Sequence, residues 1–406
     1  MQERRLISRI IISGCILLII LFLLFTCQVP QLLYPAGERP TVYMLYTSAG
    51  SMSQLLNTNQ IDAFLIWEPV VANAELAGTG KRVAVPSDLP PPGEWANAAS
   101  CVLVVRNDVA EQYPDISALL SALTTAAINR TNEDPDRARK ITADWVFGDS
   151  PILTPGGSLE PLDVENLSFA NMVFTAYAKP PESGLVTHVL DGKSNGSYDP
   201  DDMLNPVIMV RGEQFLNGSA VPETCGDVPA LAFGYLPSSD NFAPLYVMVM
   251  DSLYFCNRYG FCLVPDDATT SRPVHCTLFV GETPAAYIDL IPGQSGGGIM
   301  TTVGQTALDG AFVGSVPSEL QIALDNPSSI IQSINTGGSG LVVDNRAPCN
   351  DWDSFVRWVE SRSAARRPVV VATVQSSIQE DMLRGALAYE NITVKLYGTD
   401  FEKAYP

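Results

Sequence analysis

Histidine is nearly absent: 406 residues hold only His188 and His275, which leaves little of the commonest general base and metal ligand. Both precede Ser295, whose surroundings Gly293-Gln294-Ser295-Gly296-Gly297 fit the G-x-S-x-G elbow of α/β-hydrolases. That fold carries its histidine after the serine, so the order argues against a hydrolase. No Walker loop, HExxH helix or CxxC pair offers other chemistry. Basic residues are scarce as well, with 24 Lys and Arg against 44 Asp and Glu and a formal charge of −20. Such a balance argues against nucleic acid or an anionic membrane surface as the partner. It leaves room for a local anion site, because helix N-termini carry positive potential without any basic side chain. The residues point to binding, with no catalytic residue, no metal and no cofactor expected.

What is present begins with residues 10–27, IIISGCILLIILFLLFTC, an apolar run just long enough to span a bilayer. Arg4, Arg5 and Arg9 precede it, so the positive-inside bias puts the rest of the chain outside the cytoplasm. A cleaved signal peptide is the competing reading, but no A-x-A-like site follows. Leu24-Phe25-Thr26-Cys27 departs from a lipoprotein box at Thr26, so an uncleaved transmembrane anchor is expected. Six cysteines follow: Cys101, Cys225, Cys256, Cys262, Cys276 and Cys349. An oxidising compartment permits disulfides among them, and Cys256 and Cys262 are spaced to close a small loop; buried thiols fit the composition equally.

The stretch 288–317, IDLIPGQSGGGIMTTVGQTALDGAFVGSVP, organises the rest. Ile288, Leu290 and Ile291 read as a strand ended by Pro292-Gly293. The glycines 296–298 allow close backbone approach, residues 300–308 suit a helix, and residues 311–313 a second strand before Gly314-Ser315-Val316-Pro317. Two strand ends and a helix N-terminus thus meet at one place, where open α/β sheets hold small ligands.

Along the chain, residues 1–27 are the anchor or signal segment and 28–40 a Pro-containing stalk. Residues 41–150 alternate strands and helices, from the strand 42–46 to the helical stretch 114–145. Residues 151–227 are rich in Pro, Gly, Asp, Asn and Ser and read as an irregular connection. Alternation resumes over 228–406. Strands alternating with helices in both halves predict α/β architecture with mostly parallel sheets.

These residues add up to a resemblance. The second half carries Phe233-Gly234-Tyr235, Ala243-Pro244-Leu245-Tyr246-Val247, Tyr254-Phe255, Leu308-Asp309-Gly310-Ala311, Val313-Gly314-Ser315-Val316-Pro317, Gly338-Ser339-Gly340-Leu341 and Val371-Ala372-Thr373-Val374-Gln375-Ser376-Ser377. It resembles the N-terminal part of ABC-importer solute-binding proteins of the nitrate, sulfonate and taurine class. The first half, with Ile61-Asp62-Ala63, Ile66-Trp67-Glu68-Pro69 and Val102-Leu103-Val104-Val105-Arg106-Asn107-Asp108, resembles their C-terminal part. The halves stand in the reverse of the family's order, as a circular permutation gives; an exchanged dimer or a mis-joined frame gives it too.

The resemblance implies a two-lobed periplasmic-binding-protein-like fold, with hinge crossovers expected near residues 342–344 and 104–107. It implies a small-molecule ligand in the cleft, and an ABC permease with its ATPase as partner. The cleft candidates are Ser239, Asp240, Asn241, Gln294, Ser295, Gly314, Ser315, Thr336 and Gly337 from one lobe. Trp67, Glu68, Gln375, Ser376 and Ser377 are those from the other. Ser376 and Ser377 precede a helix, where hydroxyls and free amides hold an oxyanion; they serve equally as ordinary N-caps. Trp67 suits a wall against an apolar or planar ligand, or plain core. Glu68 caps the next helix or meets a positive group on the ligand.

The expected function is delivery of a small anion or organic solute such as nitrate, a sulfonate or taurine, from the extracytoplasmic face of the membrane. A surface sensor or scaffold ectodomain uses the same fold. So do pyrimidine-forming enzymes, but those depend on a histidine and a cysteine-rich motif, and neither appears here, where the two histidines stand isolated.

Overall fold

The computed structural model describes residues 39–154, 157–191, 198–224 and 226–398. The anchor expected at residues 10–27, nearly all of the stalk and Cys225 lie outside these. Among the described residues no helix is long and apolar enough to cross a membrane.

Two mixed sheets carry the chain. The first has six strands in the order Thr393–Leu396, Thr41–Tyr46, Val369–Thr373, Ala63–Trp67, Ser339–Asp344, Gly80–Ala84. Ala63–Trp67 is buried throughout, as a strand with helices on both faces must be. The second has eight: Met172–Phe174, Ser328–Gly337, Ala99–Arg106, Gly310–Gly314, Ala230–Tyr235, Thr283–Pro292, His275–Val280, Phe261–Pro265. Parallel pairs run from Thr393–Leu396 to Ala63–Trp67 in the first sheet and from Gly310–Gly314 to Thr283–Pro292 in the second. The remaining pairs are antiparallel, so the sheets are not mostly parallel as expected. The cause is local: strands that arrive from the other sheet, or through a tight hairpin such as that at Gly281, enter antiparallel.

The chain passes between the sheets at Gly337-Gly338 and over residues 85–98. Both glycines have positive φ, +74° and +69°, and a Cβ on Gly338 would lie 2.0 Å from Asn241 Oδ1. Only glycine takes this turn. The crossovers therefore differ from the expected 342–344 and 104–107. Val342 and Val343 are paired on both edges inside the first sheet, and Ala99–Arg106 runs unbroken in the second.

Residues 151–227 are not the irregular connection their composition suggests. They contain the helices Pro161–Phe169, Gly184–Asp191 and Pro206–Leu216 and the edge strand Met172–Phe174. The prolines that read as breakers sit at the first helical position, where the missing N–H is no loss, and Asn205 caps the third helix through Ile208 N at 3.2 Å. Pro161–Phe169 packs on Val70–Leu76 of the first lobe and Pro135–Val146 of the second. Gly184–Asp191 likewise touches Ser315–Ala323 and Ile378–Tyr389. Elsewhere Cys256 and Cys262 form a disulfide around Gly260, which ends the helix Ser252–Tyr259 in the left-handed region. Cys101, Cys276 and Cys349 are buried thiols.

Candidate functional site: an uncharged cavity at four helix N-termini

Four helices begin at the seam between the lobes: Ala49–Asn57, Gly296–Gly304, Ser315–Ala323 and Ile378–Tyr389. Their caps are Ser48, Ser295, Gly314 and Ser377. The sequence brings them close through glycine. A Cβ on Gly296 would stand 2.7 Å from Pro317 Cγ, and one on Gly293 would stand 2.3 Å from Ile299 Cγ1. The triple glycine is thus the first turn of a helix packed against its neighbour, rather than a loop ahead of one. Ser295 Oγ accepts from Gly298 N at 3.2 Å, and Ser377 Oγ accepts from Glu380 N at 3.2 Å. Ser376 is held at φ +56°, a position unusual for a residue with a side chain, by its N–H to Glu380 Oε2 at 2.7 Å.

The seam encloses an inner cavity with about 30 Å³ in which the centre of a water-sized body can move. Trp67, Leu236, Phe242, Pro317 and Val374 supply its apolar wall, and Ser100, Ser239, Asn241, Gln375, Ser376, Ser377 and Gln379 the polar one. It adjoins an open mouth of about 630 Å³ lined by Tyr46, Thr47, Ser48, Gln294, Ser295, Gln321 and others, with Gln375 and Ser376 common to both. Among the described residues, no charged side chain lines either space. What polarises it is the first-turn amides, which have no acceptor within their own helices, and the positive ends of the helix dipoles. Two side-chain atoms add to these. Trp67 Nε1 and Ser100 Oγ are buried without a hydrogen-bond partner, Ser100 having only the weak thiol of Cys101 beside it.

Behind the cavity stands a group of buried acids. Glu68 Oε2 accepts from Ala72 N at 2.9 Å, and Oε1 from Asn171 Nδ2 at 3.0 Å with Arg82 at 3.2 Å. Burial outweighs these donors and pushes Glu68 up to about 8. Asp240 accepts from Ser168 Oγ, and burial pushes it up to about 7 against the hydrogen bonds of Ser168 and Glu165. Glu165 receives no N–H or hydroxyl donor on either oxygen, and burial followed by the charge of Asp240 drives its carboxyl well above the usual range. Glu319, held by Tyr198 at 3.0 Å, is pushed by burial up to about 8, and Asp381 likewise to about 6.

The sequence-derived candidates divide accordingly. Trp67, Ser239, Asn241, Gly314, Gln375, Ser376 and Ser377 come together in the inner cavity, and Gln294 and Ser295 in the mouth. Asp240 and Glu68 do not line it; they face the acid group, Glu68 indeed capping the helix Val70–Leu76. Ser315 donates to Ala99 O at 2.6 Å, Thr336 lies in a strand ladder, and Gly337 packs against Asn171. Ser100, Phe242 and Gln379 were missed. Gln379 was findable as the second residue of a helix whose cap was recognised, while Ser100 depends on a crossover no local pattern reveals. Ser295 is a helix cap, and His275 pairs instead with Asp289 at 2.6 Å.

The model of the NMT1-like family, one of the nitrate-, sulfonate- and taurine-binding periplasmic proteins, matches residues 34–146. No curated protein matches the chain.

Proposed function

We propose that this protein is an extracytoplasmic solute-binding protein that delivers a small, acceptor-rich solute to an ABC permease and its ATPase. The solute is an anion such as nitrate, a sulfonate or a carboxylate, or a neutral molecule with a comparable acceptor. The observation that carries the reading is the uncharged cavity at converging helix N-termini with the partnerless indole N–H of Trp67 in its wall. A cation finds no counter-charge there, whereas an oxyanion finds amides, hydroxyls and an indole donor. Similarity of residues 34–146 to the NMT1-like family supports the same class. The apolar run at residues 10–27 supports attachment to the membrane, and the Cys256–Cys262 disulfide supports an oxidising compartment.

The order of the halves fits a circular permutation. Val369–Thr373 pairs with Ala63–Trp67 through Val371 with Ala63 and Ala372 with Phe64, and Thr41–Tyr46 lies between Val369–Thr373 and Thr393–Leu396. Segments from the two ends of the sequence thus build one sheet that neither builds alone.

Calorimetric titration with nitrate, bicarbonate, taurine, short alkanesulfonates and thiamine precursors tests the function. At least one is expected to bind, and Ser376→Ala with Ser377→Ala to weaken it by about 1–3 kcal/mol, through the Ser376 hydroxyl and the lost Ser377 cap, whose own hydroxyl already donates to Val374 O at 2.7 Å. Binding confined to amines, or unaffected by that double change and by Trp67→Phe, places the ligand outside this cavity.

A further inference from the structure

The helix Pro161–Phe169 belongs to neither half of the chain that resembles a binding protein, yet it holds the seam from behind. Asn171, just after it, donates to Glu68 Oε1 at 3.0 Å and accepts from Gly338 N at 2.7 Å. Ser168 donates to Asp240. Glu68 itself gives its N–H to Gly338 O at 2.9 Å and takes Asp240 N on its carbonyl at 3.2 Å. One side of this knot is the Gly337-Gly338 crossover with the first sheet, and the other is the turn Asp240–Phe242 of the second lobe. The cavity residues Trp67, Ser239 and Asn241 are immediate chain neighbours of Glu68 and Asp240.

Beside the Ser168–Asp240 bond, helix and turn meet through a pair of carboxyls, Glu165 and Asp240. Each is wholly buried, and neither Glu165 oxygen nor Asp240 Oδ1 has an N–H or hydroxyl donor. The helix packs on the turn and the two side chains interact; two buried carboxylates so placed cannot both ionise without strong repulsion, whereas one proton shared between them makes a charge-assisted bond. The surrounding charges do not relieve this. Glu68 adds a third carboxyl, and Arg82 is divided between Glu68 and Glu75. Tyr246, from the helix Ala243–Met250, is pushed upward by the same burial and by Asp240. On the helix Pro135–Val146, Arg137 is taken by Asp251 at 2.7 Å, Arg139 by Asp136, and Lys140 lies by the part-buried Asp144. On the helix itself Asp163 is exposed.

We propose that a proton shared by Glu165 and Asp240 staples the helix Pro161–Phe169 across the hinge, and that its loss to solvent loosens the hinge and opens the cavity. The inference deepens the proposed binding function by naming its regulation, and for that meaning it rests on the binding reading. The sign follows from the direction of the shifts. Burial raises both carboxyls, so the staple is intact at low pH. The pair gives up its protons in two steps, both raised by burial, and the staple fails when the second, shared proton is lost as pH rises.

Amide hydrogen exchange on the full chain without any solute tests this, between pH 6 and pH 9, corrected for the intrinsic rate. Peptides covering residues 68–72, 165–172, 238–242 and 338–342 are expected to lose protection by about tenfold or more as pH rises, while the strand 369–373 does not. Glu165→Gln keeps a neutral donor toward Asp240 and is expected to abolish the pH dependence at residues 165–172 and 238–242, leaving only what Glu68 contributes at 68–72 and 338–342; Asp240→Asn should do the same. A pH-independent wild type, or a Glu165→Gln variant with the wild-type transition, overturns the proposal. Since no solute is present, failure of every titrant to bind would count against the binding reading and leave this result standing.

Discussion

Replacing Trp67 by Phe separates two roles that a tryptophan in a cavity wall can play. The side chain sits among Met52, Ile66, Val71 and Ala74, and the residue is only 7 % exposed. Among the described residues its indole N–H has no acceptor. A buried donor without a partner costs about 1–3 kcal/mol, so removing it offsets much of what the smaller ring loses in packing. The unliganded Phe variant should therefore unfold within about 1 kcal/mol of wild type, whereas Trp67→Ala should lose about 3–5 kcal/mol. Binding should behave in the opposite way. If the N–H is satisfied by the solute, the Phe variant loses about 1–3 kcal/mol of affinity, roughly 5- to 150-fold in Kd. Urea denaturation gives the first number and titration calorimetry the second. A Phe variant that binds as well as wild type while Ala does not would make Trp67 a wall alone. A Phe variant that loses stability like Ala would mean the N–H is already satisfied within the fold.

Glu319 and Asp381 are raised by burial to about 8 and about 6, so the stability they contribute is present at low pH and lost as pH rises through those values. Denaturation midpoints should therefore fall between pH 5 and pH 8, by at least about 3 kcal/mol in stability since Glu68 and Asp240 add to the same loss, and Glu319→Gln should remove the Glu319 share of the fall; a midpoint that rises over this range contradicts the burial argument. Gly338→Ala places a Cβ 2.0 Å from Asn241 Oδ1 at φ +69° and should destabilise by more than about 3 kcal/mol, if it folds. Gly50→Ala, in a helix with open space around it, should be neutral or stabilising by about 0.5–1 kcal/mol in urea denaturation. Ser295→Ala removes a helix cap and should cost about 1 kcal/mol in stability. An esterase assay should find no activity that this change abolishes.

Elements with a clear local period were legible. The strands Thr41–Tyr46, Ala63–Trp67 and Val369–Thr373 and the helix Ile378–Tyr389 follow from apolar runs closed by Pro, Gly or Ser, and they carry Trp67, Gln375, Ser376 and Ser377 to the cavity. What failed was anything decided by a distant partner. The strands Gly80–Ala84 and Phe261–Pro265 went unseen because their sequences, GKRVA and FCLVP, look like strands only beside Ser339–Asp344 and His275–Val280. Residues 151–227 misled for the converse reason. Proline, asparagine and aspartate mark loops in general, but at Pro161, Pro206 and Asn205 they start helices. Ser315 and Asp240 belong to motifs that do reach the site, yet each turns its side chain into the backbone or the acid group behind it.

An excess of acids is a poor setting for an anion, and a charge of −20 would repel one if it acted at the cavity. The structure removes that objection by where it puts the carboxyls. Those nearest the site, Glu68, Glu165, Asp240, Glu319 and Asp381, are all driven toward the protonated form by burial. Glu380 is spent on Ser376 N, Tyr46 and Arg384. Neutral carboxyls contribute little potential, so below about pH 6 the field inside the cavity is set by the helix ends and not by the composition. The same burial makes the arrangement conditional on protons. As those acids ionise, negative charge returns behind the cavity wall at the very residues, Glu68 and Asp240, that join the lobes. Loss of the favourable field and loss of the hinge contacts then have one cause.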